Sequence, residues 1–148
     1  MISKDFLMRQ LETLTEVVAR ILLKKDIGVK DEIRTEIANG YKSLIGLDYN
    51  FINNLPVQQL VSFFSITGNL DVIKTLVTAK LFNLASDAED IEEKTKLKIK
   101  ASYLYDAIVS NTNDDEYHDL KKDVEEELEK LDKELDELEA KALNKNKN

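Results

Sequence analysis

The stretch Lys96-Leu97-Lys98-Ile99-Lys100-Ala101-Ser102-Tyr103-Leu104-Tyr105-Asp106-Ala107-Ile108 decides the fold class. Its first five residues alternate charged and apolar, the two-residue period of a half-buried strand. Beyond them the period changes. Leu97, Ala101, Leu104, Tyr105 and Ile108 fall at i, i+4, i+7, i+8 and i+11, which is one face of a helix. Ser86-Asp87-Ala88-Glu89 just ahead has the S-x-x-E form of a capping box, in which a hydroxyl and a carboxylate satisfy two orphan N–H groups. The spacing therefore predicts a helix over 87–110. With that segment helical no stretch reads as a convincing strand, so the expected class is all-α: antiparallel helical hairpins with a long acidic C-terminal helix.

Working outward, residues 4–24 place Leu7, Leu11, Leu14, Val18, Ile21 and Leu22 on one stripe, with Ser3 available as N-cap and Gly28 as a stop signal. A second helix over 30–45 carries Ile33, Ile37, Tyr41 and Leu44 and ends near Gly46. Asp48 is placed to cap a short turn through Tyr49, Phe51 and Ile52. Pro56 suits the first turn of a helix reaching about Ser65, because the N–H it lacks has no partner there. Asn69 or Asp71 caps the next helix, with Val72, Ile73, Leu76, Val77, Leu81 and Leu84 facing inward.

The formal charge of −8 is unevenly spread. Residues 114–139 hold 14 acids and 4 bases, while residues 1–113 are nearly neutral, with 15 acids and 14 bases. Domain organisation follows: a helical body over 1–113, an acidic helix over 114–143 packed on helix 87–110, and a disordered tail at 144–148. Val124, Leu128, Leu131, Leu135, Leu138 and Ala142 form a heptad seam, flanked by Glu125, Glu127, Asp132, Glu134 and Glu139. Acids on both flanks penalise self-pairing along the seam. An antiparallel hairpin turning near 112–113 instead sets Lys94 opposite about residue 131 and Lys100 opposite about 125. The last turns, from Leu138 through Leu143, then overhang the shorter helix.

The residues that usually carry chemistry are sparse. There is no cysteine, which excludes disulfide scaffolds, zinc fingers and thiol nucleophiles, and there is one histidine. His118 and Asp115 have the i, i+3 spacing of a metal-binding pair, but bundles of that kind use two such motifs and two further glutamates. A calcium loop begun at Asn111 has Glu116 where glycine is required and Lys122 where glutamate is required. No glycine-rich phosphate loop and no G-x-S-x-G occurs. No catalytic, cofactor or metal residue is therefore expected, nor any cofactor. The acidic balance argues against nucleic acid, and no stretch nears the ~18 apolar residues of a membrane span. Asp5, Glu12 and Glu16 make the amphipathic start unlike a signal peptide, so the expected location is the cytoplasm. Lysine outnumbers arginine 18 to 3, a bias that AT-rich codons produce, and a bacterial source is expected.

Ala101, Tyr105 and Ile108, and more loosely Ile37, Tyr41 and Leu44, resemble the second-helix pattern of a tetratricopeptide repeat. Leu81, Leu84, Ala85 and Ala88 echo its first helix. The opening Lys4-Asp5-Phe6-Leu7-Met8-Arg9-Gln10, then Ile45-Gly46-Leu47-Asp48 and Gly68-Asn69-Leu70-Asp71, resemble the landmarks of a bacterial family of small tetratricopeptide-like proteins, a domain of unknown function. That resemblance covers 1–110 and implies helical hairpins, with no reaction, cofactor or site residue.

The functional expectation is a non-enzymatic protein-interaction module that binds a basic partner through its hairpins and acidic helix, as a monomer or a weak homo-oligomer through the C-terminal overhang. Candidate contact residues are the surface aromatics Tyr49 and Tyr103, the overhang residues Leu138 and Leu143, and the acids Glu126 and Glu137. The alternative is a small-ligand-binding or regulatory subunit with a pocket near the aromatic segment 49–66.

Overall fold

A computed structural model of the chain describes residues 4–28, 30–66, 68–112 and 118–146. The elements are α1 (Lys4–Ile27), α2 (Lys30–Leu44), α3 (Tyr49–Asn54), α4 (Val57–Phe63), β1 (Ser65–Ile66), β2 (Asn69–Leu70), α5 (Val72–Ser86), α6 (Ile91–Asn111) and α7 (His118–Asn146). The fold is all-α. Among the described residues, strand pairing is confined to two antiparallel residues a side, Ser65 opposite Leu70 and Ile66 opposite Asn69. The helix expected from Pro56 to Ser65 thus ends at Phe63, with Pro56 as its N-cap.

The core centres on α5, which packs against α1, α2 and α6, while α1 also packs on α2 and α6 on α7. The sequence predicts one inward face for α5, yet it is buried nearly all round. That is possible because its polar groups are satisfied within the helix. Thr75 and Thr78 donate to the carbonyls of Asp71 and Lys74, at 2.7 and 2.8 Å, so their hydroxyls enter the core without an unpaired donor. Asp71 caps the helix by accepting from Lys74 N–H. Gly40 lets α2 approach α1 closely, since a Cβ there would lie 2.9 Å from Val17 Cγ1. On α1, Leu14, Val17 and Ile21 are buried, whereas Leu22, expected on the stripe, is exposed.

The expected boundary between α5 and α6 shifts. Ser86-Asp87-Ala88-Glu89 is not a helix start: α5 runs through Ser86, whose hydroxyl donates to Asn83 O. Asp90 caps α6 by accepting from Glu93 N–H at 3.0 Å, so the helix expected over 87–110 spans 91–111. Glu89 is taken by Arg34, whose Nε and Nη2 donate to its two oxygens at 3.0 and 3.1 Å. That hydrogen-bonded pair raises the Arg34 pKa. Lys25 holds Asp87 at 2.9 Å, so the α5–α6 link is tied to both α1 and α2.

The C-terminal helix shifts too. α7 starts at His118 and continues to Asn146, past the expected end at 143 and into the expected tail; 114–117 and 147–148 lie outside the described residues. It runs antiparallel to α6, because Lys98 meets Glu134 at 2.6 Å and Ser102 meets Asp132 at 3.2 Å. The expected pairing puts Lys98 opposite about 127, so α7 is displaced by about two turns, or one heptad. The Lys98–Glu134 and Ser102–Asp132 contacts hold α7 in this position on its partner.

Buried phenols give the fold an alkaline limit. Burial raises the pKa of Tyr41, Tyr49 and Tyr105. The folded state keeps protons that the unfolded chain releases above about pH 10, so the stability they confer is complete below that pH and lost above it. Tyr41 and Tyr105 should each contribute a slope of roughly 1.4 kcal/mol per pH unit. Lys100, whose pKa burial lowers, acts with the opposite sign, and its effect ends at its unfolded value near 10.4. In a Tyr103→Phe, Tyr117→Phe background, which leaves only these three phenols, phenolate absorbance at 295 nm is expected to rise together with loss of helical circular dichroism. Ionisation of these rings while helicity stays intact would contradict their burial.

Candidate functional site

The helix displacement creates the main surface feature. Had α7 taken the expected register, Leu138 would overhang; instead Leu138 and Ala142 lie beside Thr95 and Ile91. The result is an open groove of about 700 Å³ between the first half of α6 and the last half of α7. Its apolar lining is Ile91, Ile99, Leu135, Leu138 and Ala142. Ile91 is 41% exposed and Ile99 52%, high values for isoleucines beside a core. Tyr103, 42% exposed, continues the row Ile91, Thr95, Ile99 by one more turn. Beyond Ala142, Leu143 stands 58% exposed, so the overhang begins there and not at Leu138.

One edge of the groove is acidic. Glu125, Glu129, Asp132, Asp136 and Glu139 recur at 4, 3, 4 and 3 residues, which puts them on one side of α7, and all five are exposed. Glu139 lines the groove and Asp132 accepts from Ser102 Oγ, so this row borders α6. On the α6 edge, Glu92 and Lys96 pair at 3.8 Å and largely cancel.

The predicted contact residues do not all converge. Tyr103, Leu138 and Leu143 fall on or beside the groove. Glu126 and Glu137 are exposed on another face of α7, away from the acidic row. Tyr49 is not a free surface ring: it is half-buried, its centroid 5.4 Å from that of Tyr41. Ile91 and Ile99 are not among the expected contact residues, although the sequence carries their signal: with Tyr103 they form a second apolar row, off the stripe that runs from Leu97 to Ile108.

Other recesses among the described residues are smaller. A cleft of about 290 Å³ between α1, α5 and α7 is walled by Leu11, Leu14 and Leu76, with Lys80, Asp123 and Glu127 around it. Beside the aromatic segment 49–66, the recess against Phe63 and Phe64 holds about 40 Å³, room for about one water. Phe51 and Phe63 are exposed and meet edge-on at 5.9 Å. His118 is exposed at the start of α7, and Asp115 lies outside the described residues. Among the described residues, no three His, Asp or Glu converge as a metal set, and no helix is long and apolar enough to cross a membrane. No protein-family model, curated protein or solved structure matches the chain.

Proposed function

We propose that the chain is a non-enzymatic interaction module that binds a basic protein partner through the acidic surface of α7. The observation that carries this reading is the row of five exposed acids from Glu125 to Glu139, uninterrupted by a base, on a body that is otherwise nearly neutral. Such a row attracts a basic surface across about 10 Å at 0.1 M salt and orients it before contact. The helices beneath act as a scaffold of tetratricopeptide-like hairpins. In support, α1 packs on α2 and α5, and α5 on α2 and α6, the neighbour pattern of a helical stack. On this reading the module works in the cytoplasm as a monomer, without cofactor, and its acids repel nucleic acid and anionic membranes.

Affinity capture with the tagged chain, followed by mass spectrometry, tests the reading. The enriched proteins are expected to be basic and to be released as salt rises towards about 1 M, where the screening length falls to about 3 Å. Enrichment of acidic proteins alone, retained regardless of salt, overturns it.

A further inference from the structure

We propose that the α6–α7 groove docks one amphipathic helix of the basic partner, its apolar face on the isoleucine–leucine floor and its basic edge along α7. This rests on the acidic-module reading and narrows it to a site and a partner shape. From Ile91 to Ile99 the α6 wall of the groove spans nine residues, a rise of about 12 Å, and exposed Tyr103 carries the same row one turn further, to about 18 Å. A helix laid there meets the floor with residues at i, i+4, i+7 and i+11, the spacing of helix-in-groove recognition. The floor is mainly apolar, with Thr95 between the two isoleucines and charged groups at the edges, and the groove is open, which suits a helix better than an enclosed small molecule.

Charge selects among helices. Because Lys96 is paired with Glu92, the α6 edge contributes little net field, and the α7 row dominates. A neutral helix would gain only the apolar floor. A helix with lysines or arginines facing Glu129, Asp132, Asp136 and Glu139 gains opposite charge at successive turns. A second copy of this chain docked groove to groove would bring two acidic rows together, so self-association is disfavoured. The exposed isoleucines and leucines are therefore held open for a different, basic chain.

Fluorescence anisotropy with designed peptides tests this. The probe is a labelled helical peptide of about 18 residues with leucines at i, i+4, i+7 and i+11 and lysines along the edges; its twin carries glutamates at the lysine positions. The intact chain is expected to bind the lysine peptide and not the twin. Ile99→Glu, at an exposed position that should leave the fold intact by circular dichroism, should weaken binding at least about tenfold. Asp136→Lys with Glu139→Lys should reduce binding of the lysine peptide by a similar factor and create binding of the glutamate twin. Glu126→Lys with Glu137→Lys, on another face, should change affinity less than roughly threefold. If both pairs of charge reversals weaken binding equally and Ile99→Glu does not, the groove proposal is overturned while the acidic-module reading stands. Failure of the intact chain to bind the lysine peptide also overturns the groove, and affinity capture then judges the module separately. Dimerisation of the intact chain that Ile99→Glu abolishes assigns the groove to a second copy and overturns the proposal.

Discussion

Replacing Phe82 by alanine is expected to lower stability by about 3–5 kcal/mol, the cost of a large cavity in a packed core. Phe82 is fully buried on α5, where three other elements depend on it. Its ring lies 6.1 Å from that of Tyr41 on α2. The Lys100 ammonium of α6 sits over its face at 5.7 Å and also donates to Asn53 O at the end of α3, at 2.7 Å. The deletion removes the ring contacts and the cation's seat together. For a chain of this size the midpoint of thermal unfolding should fall by roughly 10 °C or more, read by circular dichroism. Phe82→Leu, which retains most of the volume, should cost about 1–2 kcal/mol. Equal effects from the two substitutions would show that the site collapses around the gap.

The second large effect is an asymmetry at Lys98. Its side chain is 5% exposed, and its ammonium contacts Glu134 Oε2 at 2.6 Å and Asn83 Oδ1 at 2.9 Å, linking α6 to α7 and α5. Removing the carboxylate by Glu134→Ala leaves a buried ammonium with one neutral acceptor. Breaking a fully buried pair costs about 3–5 kcal/mol. Glu134 is 48% exposed, so water takes part of its place, and about 2 kcal/mol is expected here. Removing the cation by Lys98→Met should cost less than about 1 kcal/mol, because the thioether fills the space and Glu134 turns to solvent. Chemical denaturation of both variants checks the order. A larger loss for Lys98→Met would mean that the pair itself, rather than the orphaned charge, governs stability at this junction.

What was legible in the sequence was set by local chemistry. Gly28 and Gly46 stop α1 and α2, and both adopt the positive φ that glycine permits. Asp71 caps α5, and the stripe Ile33, Ile37, Tyr41 is buried. What escaped reading depended on distant partners. Ser86–Glu89 and Asp90–Glu93 both have the capping-box form, and a local pattern cannot choose between them. Arg34 and Lys25, which grip Glu89 and Asp87, lie 55 and 62 residues away. The α7 register has the same origin. A heptad seam keeps its leucines inward after a slip of seven residues, so the seam is blind to such a slip. Lys98 and Ser102, meeting Glu134 and Asp132, distinguish the two registers.

The groove exists only in the observed register, so the position of α7 on α6 is the claim on which the functional account rests. The chain has no cysteine, which makes paired cysteine substitutions unambiguous. Ser102→Cys with Asp132→Cys joins positions whose side chains now touch at 3.2 Å. Lys100→Cys with Glu125→Cys joins positions that are adjacent only if Lys94 faces residue 131; in the observed register they are about 12 Å apart along the helices. With a short bifunctional thiol reagent, intramolecular cross-linking is expected for the 102–132 pair and not for the 100–125 pair. The reverse outcome would return Leu138 to an overhang, remove the groove and contradict the account.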